Sequence, residues 1–306
     1  MLHIFAIVAP VFGLLALGFA ARASNYIPER TGEGLADFVY SIAIPCLIFK
    51  TLTSVNLPEA QPWGYWFAYF GAVAIVWAMG SALAKYVFDA AVIPRTIAGF
   101  AASQSNTVLM GIPLILESFG PEGAVPLFLL VAVHLPIMIA VGTLLAEGRD
   151  MHWSKLLRQL LLHPILMSIF VSVAFKLAHL DVPEVLRSIV NQIGNAAIPC
   201  ALFTMGMALR RYGIRDHLKL TMCMTFLKLV VHPALVMLLA WTVFDMPKVW
   251  AGVAVLFAAS PVGINAYLFA ERYKQGVGIA SGAIALSTAL STVTITVWLI
   301  ILGVGR

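Results

Sequence analysis

Two short polar interruptions stand inside apolar stretches of this 306-residue chain. The first is Ser103-Gln104-Ser105-Asn106-Thr107, followed by Gly111-Ile112-Pro113, and the second is Ser260-Pro261-Val262-Gly263-Ile264-Asn265. Proline removes a backbone donor and glycine tolerates unusual torsions, so neither stretch continues as an undisturbed helix. Each break frees backbone N–H groups at a helix start, where the helix dipole also favours negative charge. The chemistry that such breaks support is the binding of an anion, for instance a carboxylate.

We predict a substrate site at these breaks. The alternative is a pair of proline kinks whose freed backbone groups are satisfied by Ser and Thr side chains. Because the breaks fall at matching places in the two halves of the chain, each with an Asn and a Ser nearby, we favour the site. The predicted substrate-binding residues of the breaks are Ser105, Asn106, Thr107, Gly111, Pro113, Ser260, Pro261, Gly263 and Asn265.

Lys228 and His232 add two ionisable groups deep inside the eighth apolar stretch, one helical turn apart on the same face. Ionisable residues at membrane depth are costly and mark functional sites, so we include both as a counter-charge or proton relay. The alternative is that Lys228 snorkels or caps a break, and that His232 only makes a hydrogen bond. We predict that His134, in the fifth stretch, is a core histidine with satisfied hydrogen bonds.

An internal repeat places these features. Ala43-Ile44-Pro45-Cys46-Leu47 recurs as Ala197-Ile198-Pro199-Cys200-Ala201, 154 residues later, and the same offset sets Ser260 over Asn106. Repeats in an apolar chain are typical of secondary transporters, which bind substrate at the repeat interface. We therefore predict that the repeated motif of the second and seventh helices faces the site through Pro45, Cys46, Pro199 and Cys200.

Composition makes the chain a membrane protein, because 61% of its residues are hydrophobic and 11% are charged. We predict one membrane domain over residues 1–306, with a first repeat at 1–146 and a second at 157–306. The start of the chain lacks the basic region of a signal peptide, and we interpret it as a retained first helix. The ten predicted segments lie near 3–22, 32–54, 64–88, 95–118, 122–146, 157–179, 185–210, 217–244, 248–272 and 276–304.

The basic residues predict the orientation. Alternate joints between segments are rich in Lys and Arg, so that side should be cytoplasmic and both termini should lie outside. Five helices per repeat is an odd number, which makes the repeats inverted. The basic joints contain Arg22, Arg30, Lys85, Arg95, Arg149, Lys155, Arg158, Arg210, Arg211, Arg215, Lys219, Arg272 and Lys274.

These residues resemble the auxin efflux carrier family, which includes plant auxin exporters and bacterial malonate and malate permeases. The resemblance spans essentially the whole chain and is most specific in the two breaks, in the Ile-Pro-Cys segment and in Ala270-Glu271. It implies an all-α, NhaA-like and bile-acid-transporter-like fold of ten helices, with segments four and nine crossing at Pro113 and Pro261. It also implies a scaffold of segments one, two, six and seven, often dimeric, past which segments three to five and eight to ten slide as an elevator.

The sequence departs from the plant members in two places. The joint of residues 147–156 is short where plant carriers have a long cytoplasmic loop, and the third segment has no acidic residue at membrane depth. Substrate or coupling therefore differs from the plant carriers in our interpretation.

The function that we predict is transport of small organic anions, such as malonate, malate or auxin-like acids, with proton or sodium coupling, a homodimer and membrane lipid as candidate partners. No phosphate-binding glycine loop, metal spacing or nucleic-acid-binding pattern is present, so we predict no cofactor, no metal and no nucleic acid. Three alternatives stay open. They are a sodium-coupled organic-anion symporter of the bile-acid type, an intramembrane enzyme, against which the lack of hydrolase motifs speaks, and a passive channel.

Overall fold

The computed structural model of the protein describes residues 2–55, 63–147, 153–212 and 217–304. Within these ranges the chain is helical apart from turns and one isolated bridge, which confirms the all-α prediction. Of the residues used for the orientation, Arg149 and Arg215 lie outside the described residues. In chain order the helices are α1 (Leu2–Ala23), α2 (Glu29–Ser54), α3 (Trp63–Tyr86), α4 (Val92–Ser103), α5 (Thr107–Glu147), α6 (Trp153–Leu161), α7 (Pro164–Leu177), α8 (Glu184–Leu209), α9 (Leu218–Val243), α10 (Lys248–Ala259), α11 (Ile264–Tyr273) and α12 (Val277–Ile301).

Seven helices of the described ranges are long and apolar enough to cross a bilayer, namely α1, α2, α3, α5, α8, α9 and α12. Helices α7 and α10 are shorter apolar helices. Predicted segment four is divided into α4 and the start of α5, and predicted segment nine into α10 and α11. Predicted segment five is the later part of α5, which bends at Gly120 (φ 56°, ψ −146°).

Three helices carry a π turn that ends two residues before a proline. Because proline lacks an N–H group, the carbonyl four residues earlier loses its helical donor. In α9 this carbonyl belongs to Leu229, and the indole Nε1 of Trp298 donates to it at 2.9 Å. The pairs of turn and proline are Val39–Ala43 with Pro45, Thr107–Gly111 with Pro113, and Leu227–Val231 with Pro233.

Helices α1, α2, α7 and α8 pack on one another, and we call them the first helix group. Within it α1 and α8 come very close. A Cβ added at Gly206 would lie 2.0 Å from the Leu15 carbonyl oxygen, and one added at Gly18 would lie 1.9 Å from that of Phe203. Small residues permit this kind of backbone contact between membrane helices, where packing rather than the hydrophobic effect drives association.

Helices α3, α4, α5, α9, α10, α11 and α12 form the second helix group. In it α3 packs on α4 and α9, α10 packs on α5 and α9, and α12 packs on α9 and α11. All four helices of the first helix group contact α5; α8 touches its start, and α1 also contacts α12. The two breaks therefore lie in the second helix group, next to α8 of the first.

Candidate functional site

The two breaks meet in the structure. Residues 104–106 connect α4 with α5, residues 260–263 connect α10 with α11, and the two segments run antiparallel through the bridge of Ser105 and Val262. The Asn106 amide donates to the Pro261 carbonyl oxygen at 2.7 Å, and the Gly263 amide donates to the Gln104 carbonyl oxygen at 3.1 Å. Each break thus satisfies backbone groups that hydrocarbon would leave unpaired. We call residues 104–106 and 260–263 the crossing.

Gly263 allows the two backbones to touch. A Cβ at this position would lie 2.6 Å from the Ser105 carbonyl oxygen, which is closer than van der Waals contact permits. Gly111 packs on the crossing from α5. Its amide donates to the Asn106 carbonyl oxygen at 2.8 Å, and an added Cβ would lie 3.3 Å from that oxygen. Both glycines are site residues predicted from the sequence, and the structure brings both to the crossing.

The position of the contact differs from the one implied by the family resemblance, which was Pro113 with Pro261. Pro261 lies in the crossing, but Pro113 is buried inside α5, two residues after its π turn. The physical reason is that extended backbone makes the contact, and the chain already becomes helical again at Thr107. Pro113 only removes a donor within α5.

Asn106 caps the helix that follows the first break. Its side-chain Oδ1 accepts from the Leu109 amide at 3.3 Å, which is the usual role of an N-cap asparagine. Its Nδ2 donates to the Met205 Sδ on α8 at 3.4 Å, so the cap also contacts the first helix group. The Thr107 amide donates to the Ser105 carbonyl oxygen at 2.9 Å.

The start of α11, after the second break, is less completely bonded. The Val262 amide donates to the Ser287 hydroxyl on α12 at 3.0 Å, while the Ser260 hydroxyl donates to the Leu256 carbonyl of its own helix. The amides of Ile264 and Asn265 have no hydrogen-bond acceptor among the described residues. The first N–H groups of a helix lack intrahelical partners, so this helix start can accept an anion.

A cavity of 210 Å³ lies beside the crossing, between the two helix groups. The second helix group lines it with Leu109, near the start of α5, and with Ile264, the first residue of α11. The first helix group lines it with Thr204 and Met207 on α8 and with Gly32 on α2. The starts of both half-helices therefore reach a space that a small molecule can occupy.

Three arginines and two glutamates surround the mouth of this cavity. Arg22 and Arg211 pair with Glu29 at 3.2 and 3.0 Å, and Arg211 also pairs with Glu33. Burial alone would lower the pKa of Arg211, but its hydrogen bonds to the two glutamates raise it overall. Arg210 instead donates to two carbonyls at the end of α1, each at 2.7 Å. The mouth therefore carries a net positive charge, which attracts anions.

Besides the Ser105 hydroxyl, two polar side chains near the crossing have no hydrogen-bond partner among the described residues. They are the amide of Gln104, fully buried at the end of α4, and the hydroxyl of Thr204, which lines the cavity. Buried polar groups are nearly always hydrogen-bonded, so these atoms are available to water or a ligand. Neither residue was among the sequence-predicted site residues. Gln104 lies within the first polar interruption, which was the signal that could have identified it.

Lys228 and His232 lie in the second helix group and do not line the cavity. Both are fully buried. The Lys228 Nζ donates to the Ala258 carbonyl oxygen, near the end of α10, and lies 3.4 Å from the His232 Nδ1. A cation at the C-terminal end of a helix is favourable, because unpaired carbonyl groups point there. Lys228 therefore contacts the end of α10, next to the second half of the crossing.

His134 is buried, as predicted, and its Nδ1 lies 3.0 Å from the Tyr69 hydroxyl. Its Nε2 has no partner among the described residues, so the histidine is only partly satisfied. Tyr69, on α3, also lies near Ser105 of the crossing, without a hydrogen bond between the two side chains. No pattern in the sequence singles out Tyr69, because a single tyrosine in an aromatic membrane helix carries no spacing signal.

The repeated motif of α2 and α8 lies away from the cavity. Pro45, Cys46 and Cys200 are half-buried and Pro199 is exposed, and none of the four is among the described residues that line the cavity. The part of α8 that meets the crossing begins at Thr204, one turn after the motif. The motif on α8 therefore lies about one helical turn before the residues of α8 that line the cavity.

The model of the family described as "Membrane transport protein" matches residues 3–155 and 151–299 of the chain. The chain belongs to this family. The match confirms the resemblance to auxin efflux carriers, and together with the apolar helices it makes the protein an integral multi-pass membrane protein of a transporter family.

Three similar proteins span nearly all of the chain. A protein of Rhizobium meliloti (strain 1021) named "Putative malonate transporter" is 29% identical over 97% of this chain and 95% of its own length. An "Uncharacterized transporter" of Methanothermobacter thermautotrophicus is 23% identical over 96% of this chain and 97% of its own length. The "Lysosomal cholesterol signaling protein" of Mus musculus is 23% identical over 94% of this chain, which corresponds to 36% of that longer protein.

Proposed function

We propose that the protein is a secondary transporter of small organic anions, which are mono- or dicarboxylates. One observation carries the proposal: the start of α11 has two free amides, those of Ile264 and Asn265, next to a cavity with a positively charged mouth. Free amides and the positive end of a helix dipole bind carboxylates. The name of the Rhizobium meliloti relative supports malonate as the first compound to test.

The size of the cavity favours a short acid. Its 210 Å³ is below the roughly 300–1,000 Å³ of pockets that hold drug-sized ligands. A three-carbon or four-carbon dicarboxylate fits this space easily, whereas the larger ring system of indole-3-acetate would fill most of it. We therefore propose malonate or malate ahead of auxin-like acids as the substrate.

The architecture that we propose is two inverted repeats of five membrane segments, with the first helix group as scaffold and the second as the moving part of an elevator. The placement of the cavity between the groups supports this division, because sliding would carry the crossing past α8. We propose a bacterial inner-membrane protein with both termini outside. In that orientation the mouth of the cavity, which carries Arg22, Arg210 and Arg211, opens to the cytoplasm.

Transport is tested by reconstituting the purified protein in liposomes and measuring uptake of radiolabelled malonate, malate and indole-3-acetate. We expect saturable uptake of malonate or malate that is inhibited by the other compound and is absent from protein-free liposomes. Carriers saturate because substrate and site move together, whereas a channel would give flux that rises linearly with concentration. Counterflow against preloaded malonate tests exchange without any imposed gradient.

A matched pair of variants ties this flux to the crossing. Asn106→Ala removes the side-chain amide at the start of α5. It should reduce malonate counterflow at least tenfold, because roughly this factor corresponds to the free energy of one hydrogen bond to a charged group. Asn191→Ala removes an amide near the start of α8, away from the crossing, and should transport like the wild type. Wild-type counterflow in Asn106→Ala would contradict the site, and absence of counterflow for every acid in the wild type would contradict the function.

A further inference from the structure

Four titratable side chains form a buried cluster behind the crossing, and we call it the Lys228 cluster: Tyr69, His134, Lys228 and His232. All four are fully buried. Tyr69 is on α3, His134 on α5, and the other two on α9. The cavity is lined by other residues, so the cluster is a separate group of side chains.

The cluster is continuous and lies beside both halves of the crossing. The Lys228 Nζ lies 3.4 Å from the His232 Nδ1, and the Tyr69 hydroxyl lies 3.0 Å from the His134 Nδ1. The ring centroids of Tyr69 and His232 are 5.7 Å apart, which joins the two pairs. Lys228 donates to the Ala258 carbonyl oxygen, two residues before the second break, and Tyr69 lies near Ser105 of the first break without a hydrogen bond between the two side chains.

No carboxylate compensates this cluster. Its neighbours on α3 and α5 are Tyr69 and His134, and no acidic residue of the described ranges interacts with Lys228 or His232. Helix α12 contains no titratable residue, while α4 and α10 contain only Arg95 and Lys248, which lie at the ends remote from the crossing. The carbonyl of Ala258 is the negative partner that the protein itself provides for Lys228.

Because Lys228 and His232 are adjacent and have no counter-ion among the described residues, the cluster carries at most one positive charge at a time. Two neighbouring cations without a counter-ion repel strongly in a low-dielectric interior, so Lys228 and His232 do not both carry a charge. The ring nitrogens Nε2 of His134 and of His232 have no protein partner among the described residues, which leaves each of them open to water or a proton. A carboxylate bound at the crossing would favour the protonated cluster by direct attraction.

We propose that the Lys228 cluster is a proton-binding site that couples anion transport to proton movement. This inference rests on the proposed function. When the anion binds, a nitrogen lone pair of Lys228 or His232 takes a proton from a hydronium ion: one O–H bond breaks, one N–H bond forms and a water molecule is left. When the anion leaves on the other side of the membrane, the N–H bond breaks and the proton passes to water there, which becomes hydronium. Nothing is oxidised or reduced. Because linkage is reciprocal, the proton tightens anion binding as much as the anion tightens proton binding.

Coupling is tested with malonate and the full-length protein in liposomes whose membrane potential is clamped at zero with potassium and valinomycin. In the wild type, an acidic outside should drive accumulation of malonate above the outside concentration, and a pH-sensitive dye inside should report acidification when malonate is added. Normal malonate counterflow with no response to the pH gradient would overturn the inference and leave the proposed function intact. Absence of counterflow for every tested acid would instead overturn the proposed function, and this inference with it.

The variants Lys228→Met and His232→Gln assign the coupling to the cluster. The readout is the ratio of malonate accumulation with and without the pH gradient, which is independent of how much active protein each preparation contains. We expect this ratio to fall to one in either variant, which means that the pH gradient no longer drives malonate accumulation. The ratio should keep its wild-type value in Lys248→Met, whose lysine lies at the end of α10 remote from the crossing. His232→Gln provides the test if Lys228→Met does not fold. A wild-type ratio in His232→Gln and in every Lys228 variant that folds would overturn the assignment.

Discussion

The break between α4 and α5 and the break between α10 and α11 are stabilised by different residues. At the first break, Asn106 caps its own helix through the Leu109 amide. At the second break, no side chain caps the helix at Gly263, and the supporting groups come from other helices, namely Ser287 on α12 and Lys228 on α9. A local cap closes one helix start, while remote support leaves the other helix start open to a ligand.

The two halves also differ in whether an ionisable side chain is buried beside the break. At the repeat offset of 154, Ala74 stands where Lys228 stands in the second half. Both halves keep the backbone break, but only the second has a buried lysine beside it. The two halves thus share the backbone break, while the side chains around the two breaks differ. The predictions below test this asymmetry, beginning with the change that should affect both breaks.

Gly263→Ala should have the largest effect, because it separates the two breaks. The added Cβ would lie 2.6 Å from the Ser105 carbonyl oxygen, so the reciprocal backbone hydrogen bonds cannot form as they are. We expect loss of malonate transport and a destabilisation of about 1–3 kcal/mol, measured by thermal unfolding in detergent. Gly13→Ala on α1 is the matched control, since nothing lies within 4 Å of its added Cβ. Equal transport by both variants would show that the crossing tolerates separation.

Asn106 variants separate capping from contact with the substrate. Asn106→Ala removes the cap and should lower stability by about 1 kcal/mol, whereas Asn106→Ser retains a capping oxygen and should recover most of that loss. Transport should remain low in both, because neither side chain has the amide donor. Recovery of malonate counterflow in Asn106→Ser would mean that the residue acts only as a cap. Thermal unfolding and counterflow on the same preparations give both quantities.

Ser287→Ala tests the remote support of the second break. It removes the acceptor of the Val262 amide, which costs about 1 kcal/mol for a buried hydrogen bond. We expect a smaller loss of transport than in the Asn106 variants, because the helix start at Ile264 stays open. Ser118→Ala is the control, since its hydroxyl bonds only within its own helix. A transport loss as large as that of Asn106→Ala would show that the two breaks depend equally on their supporting groups.

Arg210→Gln should have the smallest effect. It should change only the electrostatic attraction of malonate to the mouth of the cavity. Within the described part of the chain its guanidinium has carbonyl partners and no carboxylate, so it contributes unpaired charge to the mouth of the cavity. We expect a several-fold higher KM for malonate at low ionic strength and little difference at high salt, where exposed charges are screened. Arg187→Gln, which alters an exposed arginine near the start of α8, is the control. A KM that changes equally at all salt concentrations would contradict electrostatic attraction.

The sequence predicted the breaks well and their partners poorly, for a physical reason. Proline and glycine restrict the backbone locally, so the interruptions near Asn106 and Pro261 could be read directly from the chain. Contacts between helices depend on how those helices pack, which no local pattern encodes. The family resemblance implied that the two segments cross, but the residues that make the contact, 104–106 with 260–263, were seen only in the structure. The role of Met205 and the contact of Tyr69 with His134 were likewise seen only there.

Lys228 is a residue that the sequence identified as a functional candidate but whose contacts it did not predict. A lysine inside an apolar stretch must find a partner, and this reasoning identified it as a functional candidate. The sequence left open whether it faces the substrate or caps a break, and the structure places it against the Ala258 carbonyl behind the crossing. Similarly, the Ile-Pro-Cys repeat identified α8, but the residues that line the cavity begin at Thr204 because helix rotation decides which turn faces inward.

The most direct test of the account locates a bound anion. A structure of the protein soaked or co-crystallised with bromomalonate, with data collected at the bromine absorption edge, would show the position of the ligand without reference to its density shape. The account predicts an anomalous peak beside the start of α11, within reach of the Ile264 and Asn265 amides and of Asn106. A peak elsewhere, for instance in the 680 Å³ cavity lined by Trp77, Lys85 and Arg95, would contradict the assignment of the crossing as the substrate site.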